Sequence, residues 1–129
     1  MKNSVWRTRA AAIVAGVLAL GLAGQALAAP AAVADPVPGL LKSPADVTRG
    51  KNLFMGTCGA YCHKMTSSNG DAPFLFDCDW LFGGADAQVF NTISHGVKGT
   101  RMVAFGGAIP DQDIWRVVAY LKSASQCKK

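Results

Sequence analysis

The sequence predicts an all-α domain of three or more helices whose long connecting loops wrap around one buried group. Three observations predict it. Three segments carry apolar residues at helical spacing between recognisable start and stop signals, no segment alternates as a strand would, and two loops are too long for a compact domain unless they pack onto something.

The first element is expected to be removed. Lys2, Arg7 and Arg9 precede an uncharged run from Ala10 to Ala34 with an apolar core from Ala11 to Leu22, and Ala26-Leu27-Ala28 closes it as a small-residue cleavage pattern. Residues 1–28 therefore read as a secretory signal peptide cut before Ala29, with a cut after Ala29 as the runner-up. The stretch is Gly-interrupted and cleavable, whereas a spanning helix needs about 20 apolar residues, so no stable membrane span is expected after cleavage. The whole chain carries a net charge of +5, but losing three basic residues leaves ten against eight aspartates, a balance of +2. That removes the main support for a nucleic-acid partner. Roughly 101 residues remain, one small domain with a modest core that needs a further staple, a central cofactor or a disulfide.

Residues 29–42 hold Pro30, Pro36 and Pro38 among Ala, Val and Gly, which predicts an extended tether. The folded unit, residues 43–129, begins with Ser43 as N-cap, Pro44 at the first helical position and Asp46 placed to answer the cap, opening a helix from about Ala45 to about Gly56. Met65 to Gly84 is a loop containing an aromatic and apolar patch, Phe74, Leu75, Phe76, Trp80, Leu81 and Phe82. Asp86 to Ser94 forms a short helix with Val89, Phe90 and Ile93 at helical spacing and Gly96 as its left-handed stop. A second, glycine-rich loop covers Val97 to Ile109. The last helix starts near Pro110 and Asp111, carries Ile114, Trp115, Val117, Val118, Tyr120 and Leu121, and ends among basic residues, as the helix dipole prefers. A flat buried cofactor would give both loops a reason to be ordered.

Cys58-Gly59-Ala60-Tyr61-Cys62-His63 follows directly on the first helix. A cysteine pair ending in Cys-His is the pattern of c-type haem attachment, in which two thiols add to the vinyl groups along one side of the porphyrin and the adjacent imidazole turns beneath the ring to the iron. From about Ser43 to about Lys122 the chain resembles a small class I, monohaem c-type cytochrome. Gly50-Lys51-Asn52-Leu53-Phe54 resembles that family's first helix, where a glycine and an aromatic let the terminal helices cross closely, with Val117 and Tyr120 at the matching positions of the last helix. Ala72-Pro73-Phe74-Leu75 resembles the segment whose proline carbonyl receives the proximal histidine's other ring proton. Gly99-Thr100-Arg101-Met102-Val103-Ala104-Phe105-Gly106 resembles the loop that delivers a distal methionine.

The resemblance implies a small cytochrome c fold, one covalently attached haem c held by Cys58 and Cys62, and iron ligation by His63 and Met102. A thioether opposite an imidazole raises the potential of haem iron. The sequence departs from the family twice: three residues instead of two separate the cysteines, and Val103 stands where proline is common. The extra residue is expected to bulge or tighten the turn, with Gly59 supplying unusual dihedrals. Val103 is expected to loosen the methionine loop.

Alternatives attach to several of these residues. The four cysteines and His63 suggest a zinc site less well, because structural zinc uses paired ligand clusters and Cys78 and Cys127 stand alone. A thiol-disulfide role for Cys58 and Cys62 lacks the usual spacing and βαβ context. Cys78 and Cys127 are expected to pair in an exported chain, closing about 49 residues. For the distal position, Met55 reads as core, Met65 follows His63 too closely to cross the ring, and His95 offers a bis-histidine iron. The aromatic group Phe74, Phe76, Trp80, Phe82, Phe90 and Phe105 reads as core, with Trp80 placed to serve a haem propionate.

If His63 and Met102 both bind, the iron has no open position and the protein is an electron carrier and not an enzyme. Transient redox partners follow, a periplasmic dehydrogenase such as a quinoprotein alcohol dehydrogenase as donor and a terminal oxidase as acceptor, with Lys64, Lys98 and Arg101 placed to steer docking. The competing readings are a haem-bearing subunit or sensor with a displaceable distal ligand, and a non-haem metal-binding protein built on the Cys/His cluster.

Overall fold

The structure, a computed structural model, describes residues 34–66 and 72–127. The signal peptide expected at residues 1–28 lies outside the described residues, as do residues 29–33 of the expected tether. The described part is helical: α1 Val37–Leu40, α2 Pro44–Leu53, a π-helical turn Phe54–Gly59, α3 Asp86–His95 and α4 Asp111–Ala124. Among the described residues the nearest thing to a sheet is one isolated bridge between Gly106 and Ile109. None of their helices is long and apolar enough to cross a membrane.

The expected tether is not extended throughout. Asp35 Oδ1 accepts the Val37 N–H at 2.9 Å and starts a single helical turn. Pro36 and Pro38 fit there because the first turn needs no N–H donors. Val37 and Leu40, three residues apart, both point inward, and α1 packs on α4. Burial of those two side chains outweighs the proline-rich composition that predicted an extended segment.

Helix α2 begins as expected, with Ser43 Oγ accepting the Asp46 N–H at 3.3 Å. The Asp46 carboxylate, however, does not take the Ser43 N–H, which donates to the Leu40 carbonyl, and instead accepts from Arg116 Nε of α4 at 2.6 Å. A stronger, charged partner wins over a local backbone N–H. Helix α3 runs one residue beyond expectation, to His95, and Gly96 ends it with φ 68° but an extended ψ.

The packing centre is the crossing of α2 and α4, made possible by Gly50, which lies against the α4 backbone at Arg116 and Val117. Beyond the crossing, Phe54 meets Tyr120 and Phe76 with ring centroids 5.6 and 5.5 Å away. Ile114, Val117, Val118 and Leu121 of α4 complete the core with Val89 and Ile93 of α3. Cys78 and Cys127 are joined by a disulfide, Cα atoms 5.4 Å apart and 49 residues apart in sequence. A cross-link closing a loop of that size contributes about 4 kcal/mol in the chain-entropy picture.

An ion-pair network clamps the rim of the crossing. Arg49 forks onto both oxygens of Asp113 at 2.7 and 2.8 Å, and Arg116 bridges Asp113 at 2.7 Å and Asp46. Asp113 is almost buried, and its hydrogen bonds from Arg49 and then Arg116 hold its carboxyl well below the usual carboxylate range. Asp46 is lowered too, first by Arg116 and then by Ser43. A carboxylate whose folded-state pKa is depressed contributes stability above its unfolded pKa of about 3.9 and loses it as pH falls towards the folded value. The domain is therefore expected to lose stability progressively below about pH 4, and Asp113→Asn should flatten that dependence while lowering stability at neutral pH. Urea titrations at a series of pH values read both effects.

Candidate functional site

A cleft of about 460 Å³ opens beside the core, and Cys58, Cys62, His63 and Met102 all line it. Its remaining wall is largely apolar and includes Phe54, Leu75, Trp80, Val89, Ile93 and Leu121. That size, with few polar groups at defined positions, suits a small-molecule or cofactor site.

Cys58 and Cys62 are placed by the π-helical turn. The Cys58 carbonyl accepts N–H bonds from both Cys62 at 3.0 Å and His63 at 2.9 Å, so the chain makes a wide turn that absorbs one extra residue. Both cysteines reach the same cleft despite the unusual spacing. Gly59 serves differently from expectation. Its φ is not positive; what matters is space, since a Cβ there would stand 3.1 Å from the Phe54 ring. Cys58 is a free thiol whose pKa is pushed up to about 11 by burial and then by Cys62. It is held as the neutral thiol near pH 7.

His63 is buried, and its Nδ1 lies 2.9 Å from the Pro73 carbonyl. A carbonyl only accepts, so Nδ1 carries the proton. Nε2 is then the nitrogen with a free lone pair, the form an imidazole needs to bind a metal.

Met102 comes from a loop that is itself tied down. The Val97 N–H donates to the Met102 carbonyl at 2.9 Å, and Thr100 Oγ1 accepts the Met102 N–H at 3.0 Å while donating to the Val97 carbonyl at 2.8 Å. The loosening expected from Val103 is offset by these bonds. Gly96 has a second duty here, because a Cβ at that position would stand 2.5 Å from the Met102 carbonyl oxygen. Thr100 entered the sequence reading only as part of the methionine loop; its bracing role went unread, although a threonine two residues before the methionine is an ST-turn signal.

The competing candidates fall elsewhere. His95 stands exposed at the end of α3, its Nδ1 at 2.9 Å from the Asn91 carbonyl, and does not line the cleft. Met55, read as core, is 40% exposed, because the wider turn carries it to the surface. Met65 is likewise exposed and outside the cleft. Among the described residues no group of three or more His, Cys, Asp or Glu side chains gathers as a metal site would, and Cys78 and Cys127 of the zinc reading are taken up by their disulfide. Of the aromatic set, Phe76 is buried and Phe74, Trp80, Phe90 and Phe105 pack against the core, but Phe82 is 56% exposed and lines the cleft. Its place at a cleft edge, not in the packed centre, accounts for the difference.

The residues present fit a haem of the c type: two thiols and a correctly protonated imidazole on one turn, a thioether on a braced loop, and an apolar wall between them.

Comparison with known proteins points the same way. The family described as "Cytochrome C oxidase, cbb3-type, subunit III" matches residues 45–121, more than half of the chain. The chain is 33% identical over 89 residues to the cbb3-type cytochrome c oxidase subunit FixP of Sinorhizobium medicae, covering 62% of this chain and 30% of that protein. It is 37% identical over 84 residues to FixP of Azorhizobium caulinodans, covering 59% of this chain and 28% of that protein. To subunit CcoP of Rubrivivax gelatinosus it is 31% identical over 94 residues, 72% of this chain and 31% of the relative. The chain thus spans about 30% of the length of the curated relatives it matches. No solved structure matches it.

Proposed function

The chain belongs to the cbb3-type cytochrome c oxidase subunit III family and is a c-type cytochrome, and from that premise we propose that it carries one haem c in the cleft between Cys58, Cys62, His63 and Met102. Cys58 and Cys62, on the CxxxCH turn, would hold it through thioethers, and His63 Nε2 and the Met102 sulfur would be its iron ligands. Haem held this way supplies reversible one-electron chemistry at its iron.

The chain's own residues do the rest. The Pro73 carbonyl fixes the His63 ring and keeps its proton on Nδ1, which makes Nε2 a steady donor. Thr100 and Val97 hold Met102 in place. Phe54, Leu75, Val89, Ile93 and Leu121 give the cleft an apolar inner wall, and Leu81 and Phe82 stand exposed at its edge. If His63 and Met102 both bound the iron, they would leave it no open site for a substrate, which suits an electron carrier.

The observation that carries this reading is the His63 Nδ1 to Pro73 contact inside the cleft that also holds both cysteines and Met102. Its supports for the wider role differ in kind. The relatives are oxidase subunits, which favours a terminal oxidase as the acceptor, met either by a diffusing carrier or by a docked haem-bearing subunit. A dehydrogenase donor, with quinoprotein alcohol dehydrogenases as one class, rests on the resemblance to small soluble cytochromes. A periplasmic location is part of the same reading, supported by the signal-like residues 1–28 and by the disulfide, a bond that persists in oxidising compartments.

The test is the intact mass of the mature protein, denatured without reduction, from a host that exports and loads c-type cytochromes. The expected mass is the chain from Ala29 plus one haem, less two hydrogens for the disulfide. Absence of haem in a host that loads other cytochromes would overturn the attachment site.

A further inference from the structure

The end of α4 reaches over the loop between the cleft's aromatic wall and α3 and holds it at separate points. The Gln126 N–H donates to the Phe76 carbonyl at 2.7 Å, and Cys127 is bonded to Cys78. Lys122 does something more local. Its ammonium donates to the Gly84 carbonyl, pairs with Asp86 Oδ1 at 3.0 Å, and stands 5.5 Å from the centre of the Trp80 ring. All three partners belong to one short segment, residues 80–86.

Trp80 is confined from a second side, since a methyl group at Gly84 would stand 2.9 Å from its ring. The indole also lines the cleft. Neither the Phe76 bond nor the disulfide reaches it directly. A lysine in the last helical turn suits the helix dipole, but that role needs neither an aromatic ring nor a loop carbonyl.

We infer that Lys122 is a positioning residue for the cleft: its ammonium pins the Trp80–Asp86 segment, so that the Trp80 ring stands as a fixed wall of the site. The inference rests on the haem reading for its functional meaning, because a fixed indole keeps water away from the group that Cys58, Cys62 and His63 would hold. Gly83 and Gly84 lie within that pinned segment, between Trp80 and Asp86.

The test is amide hydrogen exchange on the mature, haem-loaded protein, comparing the wild type with Lys122→Met and Lys122→Arg. The informative amides are Gly83, bonded to the Trp80 carbonyl at 3.3 Å, and Ala85, bonded to Gln88 Oε1 at 3.0 Å, with core amides of α2 and α4 as the reference. Lys122→Met is expected to raise exchange at Gly83 and Ala85 about tenfold while the helix cores change by less than about twofold, as loss of a partly desolvated cation–π contact and ion pair would produce. Lys122→Arg keeps the charge and should restore most of the protection. Unchanged exchange at both amides, an equal rise throughout the domain, or failure of arginine to rescue would each overturn the inference. Haem content measured on the same samples separates the two readings: a wild type without covalent haem defeats the proposed function, while exchange at Gly83 and Ala85 still decides what Lys122 does.

Discussion

Alanine in place of Gly50 lowers the stability of the domain by about 3 kcal/mol or more and its melting midpoint by roughly 12–24 °C. The Cβ it adds would lie 2.0 Å from the Arg116 carbonyl oxygen, 2.5 Å from that carbonyl carbon and 3.1 Å from the Val117 nitrogen. All three atoms are backbone, so no rotamer change relieves the overlap, and α2 must move away from α4. That motion stretches the Arg49–Asp113 and Asp46–Arg116 bonds and draws Phe54 away from Tyr120, so a one-carbon change spreads through the core. Alanine's better helix propensity returns about 1 kcal/mol, too little to offset the overpacking. Gly56→Ala is the matched control, because nothing lies within 4 Å of its added Cβ. Thermal unfolding followed by circular dichroism should show a large drop for the first variant and little or none for the second. Similar melting of both would mean that the crossing accommodates a methyl group, and the close approach would lose its role.

Much of this arrangement was legible in the sequence, for reasons that differ by element. Ser43-Pro44 and Pro110-Asp111 mark helix starts through local backbone chemistry, and both starts lie where they were expected. Gly50, Phe54, Val117 and Tyr120 were legible through resemblance, since no composition rule announces which glycine lies at a helix crossing. What the sequence hid were choices settled by long-range partners. Asp46 reads as a capping residue until Arg116, 70 residues away, offers it a charged hydrogen bond. Val37 and Leu40 read as part of a tether until α4 provides a surface to bury them. The extra residue between Cys58 and Cys62 suggested strained dihedrals at Gly59, whereas the chain widens one helical turn and uses the glycine to make room for Phe54. Met55 followed from the same misreading, because it lies within that wider turn and faces outward there. Lys122 shows the limit most plainly: its position in the last turn is explained by the helix dipole, and only the fold reveals Trp80, Gly84 and Asp86 around its ammonium.

Loss of the Met102 sulfur has the largest expected effect on function. Met102→Ala, loaded with haem, should lower the midpoint potential by on the order of a few hundred millivolts, within the range of about 0.8 V that axial ligands command. The same variant should bind carbon monoxide in the reduced state, which the wild type, with both axial positions filled, should resist. The direction follows from ligand chemistry, because a thioether favours reduced iron more than water or hydroxide does. The fold should survive, since Met102 is only partly buried and its loop is closed by backbone and Thr100 bonds that the substitution leaves in place. Met102 and His95 then give opposite patterns under the two ligation schemes. With Met102 as the ligand, His95→Ala changes neither potential nor carbon monoxide binding, as its exposed place outside the cleft suggests. With a bis-histidine iron, His95→Ala would open the site and Met102→Ala would leave it closed, a result that would require the end of α3 to rearrange when haem is attached. Thr100→Val offers a graded third case: it keeps the sulfur but removes the hydroxyl that accepts the Met102 N–H, so the potential should fall by less, and carbon monoxide binding should appear only weakly. An ordering of Ala, then Val, then wild type in carbon monoxide affinity would tie the ligand to the loop that delivers it.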